Sequence, residues 1–280
     1  MRLITWNIQW ARGTDDRVDP ARIVAHARAM ADFDVLCLQE VADNFPELDG
    51  NDASNQFATF AALLPGFAAI EGIGVDTDDG RGGRKRFGNL LLTRYPVAQA
   101  LRHMLPWEAA PTRNMPRVLI EAVAQTPLGP VRLMTTHLEY SSPLLRAAQV
   151  EAIREVHRMG CARHAAPRQP GPHTYAMTPG TSSAILTGDF NMRPDDPSLA
   201  RLMAAHDGDA PPLVDLWPAL QGDALHPASA FIVDQTYGAP GCLDYVLATP
   251  DLAARARRIV YDIETRASDH QPILVEFETG

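Results

Sequence analysis

Six short segments of the sequence carry the residue types that metal-assisted and acid–base chemistry use. Each places an asparagine, glutamate, aspartate or histidine at or just after a run of strand-forming residues. In chain order they are Trp6-Asn7, Gln39-Glu40, Thr136-His137-Leu138, Gly188-Asp189-Phe190-Asn191, Leu243-Asp244-Tyr245 and Ser268-Asp269-His270. Carboxylate and amide oxygens suit a hard cation, and histidine exchanges a proton near neutral pH. The set therefore favours a site that binds a hard divalent cation.

The cation that fits these residues best is Mg²⁺, with Mn²⁺ as the expected substitute. Mg²⁺ retains several waters and needs only one or two carboxylates, which Glu40 and Asp269 provide, and the side-chain amide of Asn7 adds a further oxygen. Zinc fits less well, because no cysteine or histidine pair has the spacing of a zinc site.

Each segment taken alone has an ordinary structural interpretation. Asn7 could cap a strand, Glu40 could be a solvated carboxylate, and His137 could be a hydrogen-bonded interior histidine. Residues 188–191 and 268–270 could be turns, since Gly, Asp, Asn and Ser favour them. The occurrence of all six segments in one chain, at strand boundaries, favours a functional site.

The elements that must position these residues alternate between strands and helices. Strand-length apolar runs cover residues 3–8, 35–41, 89–93, 118–124, 131–138, 184–186, 243–248 and 273–277. The first helical pattern begins at Pro20, with Asp19 as its N-cap. Three further helical patterns cover residues 56–64, 144–159 and 198–206. This alternation predicts an α/β fold.

Length and composition are those of a globular chain. The 280 residues are 46% hydrophobic and 21% charged, so we expect one domain over residues 1–280 with a sizeable core. Residues 165–183 are rich in Pro, Gly, Ser and Thr and are predicted to form a surface loop.

Charge and cysteine usage narrow the functional classes. A net charge of −9 repels polyanions, so long duplex DNA is not the favoured partner. Cys37, Cys161 and Cys242 have no CxxC spacing, which suits reduced thiols and a cytoplasmic location. No apolar run reaches the length of about 18 residues that a membrane span needs, so no span or signal peptide is expected.

The motifs resemble those of the endonuclease/exonuclease/phosphatase superfamily, which has a DNase I-like fold. Residues 6–7, 39–41, 136–138, 188–191 and 268–270 follow that family's order and approximate spacing. The resemblance extends from Thr5 to about Pro272. It implies a four-layer αββα sandwich, in which two mixed β-sheets lie face to face with helices outside and the catalytic groups gather at one mouth.

The resemblance also implies roles for the oxygen-bearing residues. Glu40 would be the principal metal ligand, with Asn7 and Asp269 beside it. Asp189 would activate or position the attacking water, and Asn191 would orient the phosphate or that water.

Further roles follow for the histidines and for two candidate substrate-binding residues. His270 would bond to the scissile phosphate or act as the base, while Asp244 holds its imidazole in one tautomer. His137 would stabilise charge on the phosphoryl oxygens. Arg117 either contacts the phosphate or is a surface charge, and Asn89 matches a substrate-binding position of the family.

The implied chemistry is metal-dependent hydrolysis of a phosphate ester, whereas the substrate depends on the loops around the site. Without an evident DNA-binding helix or long basic stripe, the negative charge favours a phosphodiesterase acting on a small or lipid-derived diester. The alternatives are an endo- or exonuclease acting on abasic or short single-stranded DNA, and a catalytically inactive binding module. The basic segment at residues 81–86 either reaches an anionic substrate or is a solvated loop, and His157, His164, His173 and His206 are interpreted as surface residues.

Overall fold

Two six-stranded mixed sheets form the centre of the molecule. The computed structural model describes residues 1–109, 113–166, 171–175 and 180–279. In spatial order, the first sheet contains β11 (Ala256–Tyr261), β12 (Ile273–Phe277), β1 (Arg2–Asn7), β2 (Val35–Asp43), β4 (Arg84–Thr93) and β3 (Ala68–Asp78). The second contains β5 (Val97–Met104), β6 (Val118–Thr126), β7 (Gly129–His137), β8 (Ala184–Asp189), β10 (Asp244–Ala248) and β9 (Val214–Asp215).

The helices connect these strands. They are α1 (Pro20–Met30), α2 (Gln56–Leu63), α3 (Pro143–Ala165), α4 (Pro197–Met203), α5 (Leu216–Gln221) and α6 (Pro250–Ala253). The first begins as the sequence predicts, because the Asp19 side chain accepts a hydrogen bond from the Arg22 N–H and Pro20 occupies the first turn. Ser142 caps α3 in the same way, through the Leu145 N–H.

The strands bury both faces, which is why their sequences are so apolar. Leu3 and Val35 point into a cluster that also contains Leu133 of the second sheet. Their neighbours Ile4 and Leu36 point the other way, into a cluster with the side chains of α1 and α2. Alternation along a strand therefore supplies one core between the sheets and another beneath the helices, and the predicted four-layer αββα sandwich is confirmed.

The topology brings the six motifs to one edge. Each sheet has one parallel pair at its centre, β1 with β2 and β7 with β8, and its other pairs are antiparallel. The parallel pairs end at Asn7 beside Gln39, and at His137 beside Asp189. Antiparallel neighbours begin where those strands end, so β10 starts at Asp244 opposite Asp189.

The eight predicted strands are all present, and four further strands were not predicted. These are β3, β5, β9 and β11, the outermost strands of the two sheets. An edge strand pairs on one side only and is partly exposed, as the half-exposed pattern of β5 shows. The apolar periodicity on which the prediction depends is therefore weak in these strands.

Several local predictions require correction or completion. The predicted loop at 165–183 starts later, because α3 continues to Ala165, and its residues 167–170 and 176–179 lie outside the described residues. The three cysteines are free and buried. In the described part of the chain, no helix has the length and apolarity to cross a membrane.

The surface interpretation of His157 is wrong. This side chain, on α3, has no exposed area. Its Nδ1 accepts a hydrogen bond from Arg132 at 2.7 Å, and its Nε2 donates to the Pro211 carbonyl at 2.9 Å. His157 therefore joins α3 to the second sheet as a neutral imidazole.

Candidate active site

Three carboxylates meet at the mouth of the sandwich and are joined by amide side chains. Asn7 Nδ2 donates to Glu40 Oε1 at 3.0 Å and to Asp189 Oδ2 at 2.9 Å. Gln9 Nε2 donates to Asp269 Oδ2 at 3.0 Å, and the Gln9 N–H donates to Asn7 Oδ1 at 3.1 Å. The first sheet thus supplies Asn7 and Glu40, the segment that leads into its strand β12 supplies Asp269, and the second sheet supplies Asp189.

The backbone is strained where it aims these side chains. Glu40 has a φ of 62° and lies at a bulge in the pairing of β2 with β4. A bulge commonly turns a side chain toward a site, and left-handed backbone in a glutamate is uncommon. Asn191 also has a positive φ, and its N–H donates to Asp189 Oδ1 at 2.9 Å. Such outliers cluster at functional sites, because the surrounding structure must hold them in place.

One histidine is held by an aspartate beneath it. His270 Nδ1 donates to Asp244 Oδ2 at 2.8 Å, and the Ser229 hydroxyl donates to the same oxygen at 2.7 Å. The indole N–H of Trp6 donates to the His270 carbonyl at 2.9 Å. These contacts fix the ring so that its Nε2 lies 3.7 Å from Asp189 Oδ2.

The second histidine lies on the other side of Asp189. His137 Nε2 is 3.4 Å from Asp189 Oδ2 and 3.0 Å from Asn191 Nδ2. A neutral His137 accepts from that amide and carries its proton on Nδ1, which is 3.8 Å from Glu40 Oε1. The two imidazoles therefore flank one carboxylate.

Burial and charge separate the protonation states of these groups. Burial, with the neighbouring Asp269 carboxylate, raises the pKa of Glu40 to about 7, and burial raises the pKa of Asp189 to about 6. Burial, with nearby cations, lowers the pKa of His137 well below its usual range. Burial opposes the charged form of His270, but the Asp244 and Asp189 carboxylates outweigh it and raise its pKa. Near neutral pH, His137 is therefore neutral and His270 is charged.

Arg117 is buried at the site with unused donors. It is 6% exposed, and neither its Nε nor its Nη1 has a hydrogen-bond partner. Its nearest carboxylate is Glu139, with Oε2 at 3.6 Å from Nε. The surface interpretation of Arg117 is therefore wrong. Unlike Arg117, Asn89 has its side-chain donor engaged, because its Nδ2 donates to the Val118 carbonyl of β6. Its side chain does not line the main cleft.

These groups open into a cleft of about 590 Å³. Its catalytic end is lined by Gln9, Glu40, Arg117, His137, Asp189, Asn191, Asp269 and His270. A second depression of about 530 Å³ lies beyond Tyr140, whose hydroxyl donates to the Tyr237 carbonyl at 2.5 Å. The two share Tyr140, Asn191, Phe231 and Tyr237, so the site has space on both sides of Asn191.

Two groups of residues could hold a cation. Glu40 and Asp269 line the cleft beside Asn7. Burial and neighbouring carboxylates raise the pKa of each, and a bound cation would stabilise their charged forms. Asp189, Asp244 and His270 also bring ligand atoms within 4.8 Å of one another. In that second group Asp244 Oδ2 is already bonded to Ser229 and His270. The Glu40 and Asp269 pair is therefore the better donor set for a hard cation.

The structure also adds residues that the sequence did not indicate. Gln9 joins Asn7 to Asp269, and Ser229 holds Asp244. Glu139 is 1% exposed beside Arg117. The sequence indicates a role for Gln9 only through its position, two residues after Asn7. It gives no indication of a role for Ser229, because its partner Asp244 lies 15 residues away.

A two-sheet sandwich with carboxylates, histidines and an arginine at one mouth defines a class of phosphoester hydrolases. The model of the endonuclease/exonuclease/phosphatase family matches residues 4–270. The chain therefore belongs to this family, as its motifs predicted. No curated protein matches it in sequence.

Solved structures have the same fold. An endonuclease/exonuclease/phosphatase from Beutenbergia cavernae is 25% identical, with a TM-score of 0.65 over 98% of this chain and 70% of that chain. A mannosyl-6-phosphatase from Bacteroides thetaiotaomicron is 18% identical, with a TM-score of 0.63 over 99% of both chains. TDP2 of D. rerio, complexed with a single-strand DNA product, is 20% identical, with a TM-score of 0.61 over 99% of this chain and 98% of that chain. The last two likenesses show the fold alone.

Proposed function

We propose that this protein is a phosphodiesterase that uses Mg²⁺, or Mn²⁺ in its place, to hydrolyse a small or lipid-derived phosphodiester. The observation that carries the proposal is the convergence, in one cleft, of crowded carboxylates with unused cationic donors. Glu40, Asp189 and Asp269 provide the carboxylates, and Arg117 and His270 provide the cations. Carboxylates bind a metal and a water, whereas cations bind phosphate oxygens.

Glu40 and Asp269 are the residues that would hold the metal, with Asn7 beside them. Mg²⁺ supplies positive charge to the phosphoryl oxygens and acidifies bound water. In the described arrangement Asn7 turns its Nδ2 toward Glu40 and Asp189, so it also orients the carboxylates.

The remaining residues act on the water and the phosphate. Asp189 accepts a proton from the attacking water, whose oxygen bonds to phosphorus as the ester P–O bond breaks. The departing oxygen takes up a proton from solvent water, and Asp189 returns its proton to solvent. Asn191 orients the water or the phosphate beside Asp189. His270, held by Asp244, donates from Nε2 to a phosphoryl oxygen, and neutral His137 stabilises charge on the same group.

Charge and shape support a small diester rather than long DNA. The basic side chains of the 81–86 segment that lie in β4 are engaged, since Arg84 pairs with Asp76, Lys85 with Glu47 and Arg86 with Asp43. A polyanion would have to displace these carboxylates, which disfavours its binding here. A diester carries two ester groups, and the two depressions that share Asn191 provide room for both.

The test is a substrate panel with and without metal. We expect hydrolysis of bis-p-nitrophenyl phosphate with Mg²⁺ or Mn²⁺, loss of activity in EDTA, and slower action on p-nitrophenyl phosphate. Glu40→Gln should weaken Mg²⁺ binding by at least about tenfold in titration calorimetry, whereas Glu71→Gln, on edge strand β3, serves as the control. Preferential cleavage of abasic or single-stranded oligonucleotides would instead identify a nuclease. Neither metal binding nor hydrolysis would identify an inactive binding module.

We also propose a cytoplasmic location and a single domain over residues 1–280. The three free, buried thiols support the first, and a family match over residues 4–270 supports the second. Fractionation and limited proteolysis test them: secretion with an intermolecular disulfide, or two separately stable fragments, would contradict them.

A further inference from the structure

One part of the active-site cleft is apolar. Beside the catalytic groups it is lined by Trp10, Phe45, Leu48, Val75, Phe87 and Met115, which we call the apolar wall. A volume of about 590 Å³ is that of a site for a small organic molecule. The phosphate group alone would leave this part of the cleft empty.

The apolar wall is a distinct cluster with accessible faces. Phe87 and Trp10 are each 8% exposed, and Phe45, Leu48, Val75 and Met115 are half-buried around them. The rings of Phe45 and Phe87 meet edge to face at 6.2 Å. Grouped apolar surface that remains accessible beside a reactive centre is a common mark of ligand binding.

Hydrogen bonds hold Trp10 in this wall on a strained stretch of backbone. Gln9, Trp10 and Ala11 have successive φ values of 45°, 44° and 61°, which residues other than glycine rarely adopt. Gln56 Nε2 donates to the Trp10 carbonyl at 2.8 Å, and the Trp10 indole N–H donates to the Asp49 carbonyl at 2.9 Å. The indole is thus fixed, with its only polar group engaged away from the cleft.

The wall offers little to a polar ligand. Apart from the catalytic groups, the charged residue among the described residues that line the cleft is Arg113, which is exposed. Nearby Lys85 and Arg86 are paired with Glu47 and Asp43. A nucleobase seated here would leave its hydrogen-bonding edge unpaired, which is costly. A hydrocarbon group has no such requirement.

We propose that one ester group of the substrate is a hydrocarbon chain, as in a lipid-derived diester, and that it binds against the apolar wall while the phosphate lies between Arg117 and His270. This inference rests on the proposed function, because it names the group attached to the scissile phosphate.

The first experiment varies only the chain. Methyl, butyl, hexyl and octyl p-nitrophenyl phosphates share one leaving group and are compared below their critical micelle concentrations. We expect kcat/KM to rise by up to about fourfold per buried methylene until the wall is filled, from a burial free energy of about 0.8 kcal/mol per CH₂. A flat series, or a preference for thymidine 5′-p-nitrophenyl phosphate over the hexyl ester, would overturn the inference.

The second experiment localises the effect with a matched pair of variants. Phe45 packs on Phe87 with the Lys85 ammonium 5.5 Å from its ring, and Phe67, outside the cleft, packs on Phe33 with the Arg94 guanidinium at 5.3 Å. Phe45→Ser should flatten the dependence on chain length, and Phe67→Ser should preserve it.

Met115→Ser provides a second variant of the wall if Phe45→Ser does not fold. Retention of the full chain-length dependence by the folded wall variants would place the chain elsewhere and refute the site.

Binding separates this inference from the proposed hydrolysis. Titration calorimetry with ethyl, butyl, hexyl and octyl phosphate should show a dissociation constant that falls with chain length. Length-dependent binding without turnover would refute the hydrolytic function and support the apolar wall. Turnover with binding that is independent of length would refute the wall alone.

Discussion

His270 and Asp244 show how single residues set the chemistry of the site. A buried imidazole would normally lose its proton, yet the carboxylates around His270 raise its pKa. His137 is also buried but lies beside cations, and its pKa is lowered. The Nε2 atoms of His137 and His270 lie 3.4 and 3.7 Å from Asp189 Oδ2, yet the two side chains take opposite charge states. His270 can therefore bind an anion, and His137 can accept a hydrogen bond.

The Asp244 contact can be tested against a matched pair elsewhere in the chain. Asp215 and His226 form a similar pair, also at 2.8 Å, outside the cleft, with Asp215 buried and His226 partly buried. Asp244→Asn should lower kcat by about 10²-fold or more, since it removes the charge that holds the imidazolium. Asp215→Asn keeps the side-chain oxygen that caps the Trp217 N–H and should leave kcat within a few-fold. Equal kcat values for the two variants would remove His270 from the mechanism.

At the scale of the elements, the central parallel pair of each sheet determines where chemistry occurs. Both sheets have the same strand arrangement, with an edge strand, an antiparallel strand, the parallel pair, an antiparallel strand and an edge strand. The parallel pairing ends at Gln39 in the first sheet and at Asp189 in the second, and Glu40 follows directly after Gln39. The two sheets therefore present their polar residues at the same place, the end of the central parallel pair.

Gly188 is required for the pairing of β7 with β8. Its φ is 136°, and a Cβ there would lie 1.9 Å from the Thr136 carbonyl oxygen. Gly129 also has a positive φ, of 92°, but has open space around it. We expect Gly129→Ala to lower the free energy of unfolding by about 1–2 kcal/mol and Gly188→Ala by at least about 3 kcal/mol, because the clash adds to the strain. Urea unfolding of both variants measures this, and equal losses would show that the close approach is unimportant.

The His157 contact between α3 and the second sheet makes stability depend on pH. Burial lowers the pKa of His157 to about 4, below its value of about 6.5 when unfolded. Between these values the unfolded chain binds a proton that the folded chain does not, so this group's contribution to stability is lost as the pH falls from 6.5 toward 4.

His157→Gln tests this dependence, because glutamine can accept from Arg132 and donate to Pro211 but does not titrate. The free energy of unfolding of the variant should fall less steeply than that of the wild type over that pH range, measured by urea unfolding. A wild-type slope retained by the variant would assign the acid sensitivity to other groups.

At the scale of the whole molecule, the net charge of −9 sets the sign of salt effects. An anionic diester approaches against this field, so we expect kcat/KM for a small diester to rise, by roughly a few-fold or less, when NaCl increases from 20 to 200 mM at constant Mg²⁺. A DNA-binding surface would show the opposite dependence, because salt opposes counterion release. A falling kcat/KM on DNA, with higher activity there than on the diester, would favour the nuclease alternative.

The sequence by itself determined the family, the fold class and the interior strands, and it predicted the polar residues that the fold brings together at one mouth. These features can be predicted because each motif is local: a polar residue ends an apolar strand, and both are visible within a few positions, as at Asn7 and Asp189. The pattern that predicts Asp19 as the N-cap of α1 is also local, and the structure confirms this prediction.

Tertiary structure alone decided which residues meet and in what environment. Ser229 and Asp244, or Arg132 and His157, are brought together by packing between distant segments, and burial at such contacts sets the charge state of each group. The edge strands were missed because partial exposure removes their apolar pattern. The apolar wall was missed for the opposite reason: Trp10, Phe45, Phe87 and Met115 resemble ordinary core residues until the fold leaves their faces open beside the carboxylates.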